Sequence, residues 1–246
     1  TTTPQVVSPS MACLIVHGLS GEERPPSIPA YDLNAACAGY LYALTSAFDF
    51  LRSMPSARVL VVTAEAMSLV VDPHDFQTAI LFGDASTATL VHGPRQLSGP
   101  RYLLHRPVIA SQAEDGRLLT VPPVGTGETV KMNGLRIFEE AAAIMLDMVD
   151  QACLASGLTR EDLQRIVPHQ ANGRIIEEIR MRLGPLGDRL VNAIRHVGNT
   201  SSSSIPLCLA SLEPPPRPGD RLALTAFGGG FTFGGAILEV PRQQSS

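Results

Sequence analysis

Asp32-Leu33-Asn34-Ala35-Ala36-Cys37-Ala38-Gly39 joins a short β-rich run, 27–33, to a stretch, 38–53, in which Leu41, Leu44, Phe48 and Leu51 recur at spacings of three and four. Apolar residues so spaced form one face of a helix, and the segment predicts strand, turn, helix with a cysteine at the turn. A helix start presents unpaired N–H groups and a partial positive charge, and both favour thiolate over thiol. The alanines around Cys37, and Gly39, leave room for an acyl group or thioester to reach the sulfur. A free cysteine is ordinarily a small core hydrophobe. Only this setting takes Cys37 out of that class.

Outward from this point, 58–63 is a Val/Leu run of central-strand type. Residues 79–91, interrupted by Gly83-Asp84, predict another strand with a tight backbone approach near its start. The stretch 94–130 is rich in Gly, Pro and polar residues, the composition of a connector able to carry substrate contacts. A domain boundary within it divides the chain into 1–110 and 111–246. Beyond it, 135–156 predicts a long helix, 165–167 a short strand, and 173–183 a helix carrying Arg174, Arg180 and Arg182. Further strands are predicted at 191–195, 221–225 and 235–240. Strands alternating with amphipathic helices point to an α/β fold of two similar halves, although no clear sequence repeat is present. Pro214-Pro215-Pro216 reads as a rigid surface linker.

Composition narrows the function. A 44% hydrophobic content supplies a core, whereas 17% charged residues and a net charge of −4 offer no basic surface for phosphates, so no nucleic-acid partner is expected. Thr1-Thr2-Thr3-Pro4 lacks the basic flank and apolar stretch of a secretory signal, and nowhere do about 18 apolar residues run together; a cytoplasmic enzyme without a membrane partner is expected. Cysteines 13, 37, 153 and 208 form no C-x-x-C pair and have no clustered histidines, so neither a metal site nor a disulfide framework is suggested.

Three further segments carry chemistry. His169, in Val167-Pro168-His169-Gln170-Ala171-Asn172, projects from a strand end into a loop, a common place for catalytic groups, although an isolated histidine is more often a satisfied core or surface residue. Asn199, in Gly198-Asn199-Thr200-Ser201-Ser202-Ser203-Ser204, reads by itself as a polar turn or helix cap. Phe227-Gly228-Gly229-Gly230-Phe231 either forms a loose turn or lets the backbone press close to a ligand and present N–H groups. The histidines at 17, 74, 92, 105 and 196 show no partner pattern and read as structural or surface residues.

Together these segments resemble the ketoacyl synthase III branch of the thiolase superfamily. The motifs are 34–40 around Cys37, Leu81-Phe82-Gly83-Asp84, Met132-Asn133-Gly134, Pro168-His169-Gln170-Ala171-Asn172, Gly198-Asn199-Thr200-Ser201 and 226–233, in family order over nearly the whole chain. The resemblance implies a thiolase-like fold of two α/β halves, layered αβαβα, and an acyltransferase with a Cys37, His169, Asn199 triad and an oxyanion hole from the N–H groups of Cys37 and Gly229. Cys37 would accept an acyl group from a thioester. Decarboxylative Claisen condensation with a malonyl thioester would follow, as in fatty-acid or polyketide biosynthesis, with His169 Nε2 and Asn199 Nδ2 on the enolate oxygen. No cofactor is implied; coenzyme A or acyl carrier protein thioesters are the substrates.

By the same resemblance Phe138 and Asn172 line the pantetheine tunnel. Phe76 stands in the substrate region where many relatives place an arginine on the adenine of coenzyme A. Arg174, with Arg180 and Arg182 on its helix, would meet an acidic carrier protein, while Glu139 replaces a frequent docking lysine and Phe233 a tryptophan. A homodimer paired through the edge near 27–33 is expected. Family members begin with two further βα units, on the order of 60–90 residues, so the N-terminal half is expected to be incomplete in this chain, its remainder a separate fragment or an unrecorded part. The apolar faces of the 38–53 helix and the remaining strands are then expected to lack packing partners.

Three readings compete. A papain-like protease has Cys, His and Asn in this order, with a comparable gap to the 132 residues here, but the chain has no C-G-S-C-W run and no tryptophan. A thiolase-fold acyltransferase would pass the Cys37 acyl group to an oxygen, nitrogen or sulfur nucleophile without decarboxylation. A non-catalytic partner subunit of a heterodimer would have no use for the retained triad.

Overall fold

The computed structural model describes residues 1–21, 23, 27–93, 102–113 and 117–242. Its elements, in chain order, are Met11–Ser20 (α1), Gly39–Ser53 (α2), Arg58–Glu65 (β1), Ala85–His92 (β2), Leu103–Leu104 (β3), Val108–Ser111 (β4), Leu119–Thr120 (β5), Lys131–Met132 (β6), Gly134–Ala155 (α3), Arg165–Pro168 (β7), Gly173–Leu183 (α4), Ile194–Val197 (α5), Ser204–Ala210 (α6), Arg221–Gly228 (β8) and Thr232–Glu239 (β9). β1 and β2 pair antiparallel, with Val61 opposite Thr89. A five-stranded sheet runs β3-β9-β8-β7 with β4 also on β9; β7 and β8 are parallel and β8 and β9 antiparallel.

The alternation of side chains along β8 explains the layering. Successive residues of a strand point to opposite faces, and β8 is apolar on both. Leu222, Leu224 and Ala226 join Leu41 and Leu44 of α2 and Ile205 and Leu209 of α6 in one core. Ala223 and Phe227 join Met145 and Val149 of α3 and Ile175 and Ile179 of α4 in another. A strand buried on both faces needs a helical layer on each. The order is therefore α3 and α4, the five-stranded sheet, α2 and α6, then β1 and β2, an αβαβ stack. α2, α3 and α4 form where their apolar spacing places them, and Asn133 and Asn172 start α3 and α4 by accepting the N–H groups of Arg136 and Arg174.

Several expectations need correction. Residues 27–33 form no strand: a strand persists only when its N–H and C=O groups find a partner strand, and none lies beside this run among the described residues. Residues 191–195 are not a strand either. The Val191 N–H still reaches the Ile166 carbonyl at 2.8 Å, but the Ala193 N–H donates to Gln170 Oε1 at 2.8 Å, and the chain leaves the ladder for the short helix α5. The 79–91 run becomes strand only from Ala85. Within the 94–130 connector, β3 and β4 are strands of the five-stranded sheet; 94–101 and 114–116 lie outside the described residues. The apolar face of α2 is covered by the five-stranded sheet, β1 and α6, contrary to expectation, while Leu60 and Leu90 on the outer face of β1 and β2 are exposed.

The contact of β9 with α3 depends on a missing side chain. A methyl group on Gly235 would fall into the backbone carbonyl of Met148 on α3. Neither backbone can yield without shifting the helix off the sheet, so Gly235→Ala is expected to destabilise by about 1–3 kcal/mol and to lower the melting temperature by roughly 3–10 °C in calorimetry. A variant melting at the wild-type temperature would show that helix and sheet do not meet there.

Candidate active site

Cys37 sits in the single 3₁₀ turn Ala36–Ala38, directly before α2, and is buried. The left-handed backbone of Ala36, φ 48°, turns the chain so that the sulfur faces inward from the helix start. From the other side, the β8–β9 turn closes on it. A methyl group on Gly228 would lie 2.7 Å from the Cys37 backbone nitrogen, so only glycine permits this approach. Thr232 anchors the turn by donating its hydroxyl to the Ala35 carbonyl at 2.7 Å.

His169 follows β7 and is held by its own N–H, which donates to the Thr225 carbonyl of β8 at 2.7 Å. The imidazole is 1% exposed, and its Nδ1 lies 2.7 Å from Ser204 Oγ at the start of α6. Ser204 Oγ also accepts the Gln170 N–H at 3.2 Å. The hydroxyl is thereby held beside the imidazole by a helix start and a strand end at once. Burial pushes the imidazole down to about 3, so at neutral pH it is an uncharged ring.

Asn199 is placed by backbone pairing. Its N–H donates to the Leu81 carbonyl at 2.7 Å and its C=O accepts the Gly83 N–H at 2.9 Å. The two strands of chain interleave closely: a methyl on Gly83 would lie 2.8 Å from the Val197 carbonyl, and Gly198 adopts φ +65° against the Leu81 carbonyl. This is the tight approach expected near Gly83. The side-chain amide is oriented by its partners, with Oδ1 accepting the Ser201 N–H at 2.9 Å and Nδ2 donating to the Ala171 carbonyl at 3.2 Å. Nδ2 has two hydrogens, and the bond to Ala171 uses one.

Cys37, His169 and Asn199 all line one narrow pocket with a cavity volume of about 60 Å³. Its wall is largely apolar, from Phe82, Leu119, Met132, Ile137, Phe138 and Phe227, with Asn172 and Gly228 contributing polar edges. The apolar surroundings act on the sulfur more than the helix start does. Burial pushes the Cys37 thiol up to about 12; a hydrogen bond from Ser201 opposes this, and the nearby charge of Glu65 adds to it. The expectation of a thiolate favoured by a helix N-terminus is therefore not met in this geometry, because removing the charge from water outweighs the partial charge of the helix.

The remaining sequence-based candidates separate. Phe138 and Asn172 are in the pocket, although Asn172 spends its side-chain oxygen on the Arg174 N–H at 2.8 Å as the α4 cap. Gly228 lines the pocket, while Gly229 packs against the Leu119 carbonyl. Phe76 is 76% exposed and lies apart from it. Arg180 and Arg182 are tied to Glu177 and Glu178 on their own helix, leaving Arg174 as the one of the three arginines without an ion pair among the described residues. Sequence reading missed Ser201 and Ser204, which support the cysteine and the histidine. The signal was the unbroken run of four serines, all of them buried.

Family signatures described as 3-oxoacyl-[acyl-carrier-protein] synthase III match residues 31–100, and its C-terminal part residues 153–240. The chain is 39% identical to the β-ketoacyl-[acyl-carrier-protein] synthase III of Oleidesulfovibrio alaskensis, over 98% of this chain and 76% of that protein. Among solved structures, the 3-oxoacyl-[acyl-carrier-protein] synthase III of Aquifex aeolicus superposes with a TM-score of 0.84 at 32% identity, covering 96% of this chain and 74% of that one. The priming β-ketosynthase of a polyketide biosynthetic pathway gives 0.83 at 31% identity, covering 98% and 73%. With the layered thiolase-like fold and the motifs in family order, these likenesses establish that the chain belongs to the 3-oxoacyl-[acyl-carrier-protein] synthase III family.

Proposed function

We propose that this chain, a condensing ketosynthase by family, joins an acyl group carried on Cys37 to the carbon left when a malonyl thioester loses carbon dioxide. The observation that supports this most is the convergence of Cys37, His169 and Asn199, from three distant stretches of sequence, on one narrow apolar pocket. In the first half-reaction the Cys37 sulfur attacks an acyl thioester carried by coenzyme A or an acyl carrier protein. The N–H of Cys37 and that of the Gly228–Gly229 peptide receive the oxyanion, and the acyl group stays on sulfur. In the second, decarboxylation leaves an enolate whose oxygen needs neutral donors in a dry site.

His169 and Asn199 suit that need. When Ser204 donates to Nδ1, the imidazole hydrogen is on Nε2, and burial keeps the ring uncharged. Asn199, its orientation fixed by Ser201 and Ala171, has a second Nδ2 hydrogen to offer. Two neutral donors stabilise a developing enolate without forming an ion pair that the apolar wall would have to accommodate. A simple acyl transfer has no enolate, and this pair favours condensation over the acyltransferase alternative. Arg174 is the residue of α4 proposed to meet an acidic carrier.

Removing one such donor typically costs about 10²–10³ in kcat. Asn199→Ala is therefore expected to form acyl-Cys37 at close to the wild-type rate but to lose about 10²-fold or more in release of labelled carbon dioxide from a malonyl thioester. Equal loss in both half-reactions would contradict the assignment.

The histidine gives a pH test. Its folded value is lowered, from 6.5 to about 3, by burial, so the folded state binds fewer protons than the unfolded chain between those values. Its contribution to stability is fully present above the unfolded value and is lost as the pH falls through 6.5 toward 3. The His169 ring resonances are expected to stay flat in NMR from about pH 5 to about pH 8. A midpoint near the ordinary histidine value would put an imidazolium in the pocket and remove the case for a neutral donor.

A further inference from the structure

Successive residues of a strand alternate between its faces, so Thr63 and Glu65 of β1 project on the same side as the core residue Val61. There they meet the buried turn Ser201–Ser203, which follows Asn199. Ser203 Oγ lies 2.8 Å from Thr63 Oγ1 and 3.1 Å from the Ala85 carbonyl, and Thr63 Oγ1 lies 2.6 Å from Thr87 Oγ1 of β2. Glu65 is 4% exposed, and a buried carboxylate needs donors or a cation. Its Oε1 accepts the Ser202 hydroxyl at 2.6 Å. Its Oε2 accepts the Thr2 N–H at 3.0 Å, the Thr2 hydroxyl at 2.5 Å and the Thr3 hydroxyl at 3.4 Å. Among the described residues no lysine, arginine or histidine pairs with it.

A carboxylate has no hydrogen to give, so every hydroxyl bonded to Glu65 must turn its own proton inward. Hydrogen bonds to a charged acceptor are also roughly twice as strong as neutral ones. A contact between two hydroxyls, such as Thr63 with Thr87, can run in either direction, whereas those to Glu65 cannot. Glu65 is thus the fixed point of this network, and it ties Thr2 and Thr3 to the end of β1 and to the turn after Asn199.

That turn needs a tie. Ser201 opens it with a left-handed backbone, φ +50°, a conformation that a residue bearing a side chain keeps only where its surroundings impose it. Held so, the Ser201 N–H reaches Asn199 Oδ1 at 2.9 Å. This bond decides which end of the Asn199 amide is which: with Oδ1 taken by Ser201, Nδ2 gives one hydrogen to the Ala171 carbonyl and keeps the other. Ser202, whose hydroxyl Glu65 holds, is the next residue along the chain.

We infer that Glu65 is a positioning residue for the condensation step: by clamping Ser202 it keeps the Ser201 N–H on Asn199 Oδ1, and so keeps an Nδ2 hydrogen available to the enolate. The inference rests on the reading of Asn199 as an enolate donor. Glu65 does not line the pocket, and it acts through the turn. Since the Asn199 donor is needed only once the enolate forms, a loosened clamp lowers kcat for condensation and leaves the malonyl KM and the acylation of Cys37 in place.

Glu65→Gln keeps the size of the side chain but exchanges one acceptor for a donor, so one of the surrounding hydroxyls must turn away. In the full chain it is expected to lose about 10-fold or more in release of labelled carbon dioxide from a malonyl thioester, a part of what removing the donor outright costs. Acyl-Cys37 formation and malonyl KM stay near wild type, and Glu65→Asp, which keeps an acceptor-only group, recovers part of the loss. Placing Glu65→Gln in the Asn199→Ala background closes a double-mutant cycle: a residue acting through Asn199 adds less than about 2-fold there. Wild-type condensation by Glu65→Gln, equal loss of both half-reactions, or the full loss repeated in the double variant each overturns the positioning role. Wild-type condensation by Asn199→Ala alone instead sinks the enolate-donor reading itself. Should Glu65→Gln not fold, Ser202→Ala, which cuts the clamp from its other end, enters the same cycle and is judged by the same outcomes.

Discussion

The removal of the Cys37 sulfur from water is the constraint around which the rest of the site is arranged. An apolar pocket strengthens every hydrogen bond to an oxyanion or enolate, because no solvent competes for the donors. It also penalises the thiolate needed to start the chemistry, and burial pushes the thiol up to about 12. Each polar group near the sulfur answers one side of this conflict. Ser201 donates toward the sulfur, Ser204 holds the imidazole, and Ser201 and Ala171 orient the Asn199 amide.

The fold brings these groups together by backbone rather than side-chain contacts. β7 and β8 run parallel and deliver His169 and the glycine turn to the same end of the sheet. The turn reaches Cys37 because Gly228 has no side chain to keep it away, and Leu81-Phe82-Gly83 pairs with Asn199 because Gly83 and Gly198 allow the two chains to interleave. Close-packed backbones leave little freedom for the three side chains, and that rigidity is the preorganisation such chemistry needs.

Much of this was legible in the sequence where the signal was local. Apolar spacing located α2, α3 and α4 within a residue or two, a helix start marked Cys37 and a strand end His169, while Asn199 read locally as a polar turn and was singled out only by the family resemblance. Where structure depends on remote partners, local reading failed. Residues 27–33 look like a strand but have no partner strand among the described residues, and Gln170 draws Ala193 out of the β7 ladder. The environment of Cys37 was misjudged for the same reason: the helix start is visible in the sequence, whereas the apolar wall is assembled from residues 82 to 227. Glu65, at the end of β1, carried no sequence signal; its partners Thr2 and Ser202 lie far from it along the chain.

The central claim is that one sulfur, among four cysteines, carries the acyl group. Peptide mass spectrometry of the full chain after brief incubation with a panel of acyl thioesters, without malonyl acceptor, tests it most directly. The account predicts a mass increase of one acyl group on the peptide containing Cys37, removed by hydroxylamine and lost when a malonyl thioester is added. An acyl group found on Cys13, Cys153 or Cys208 instead, or condensation product formed while Cys37 stays unmodified, would contradict it.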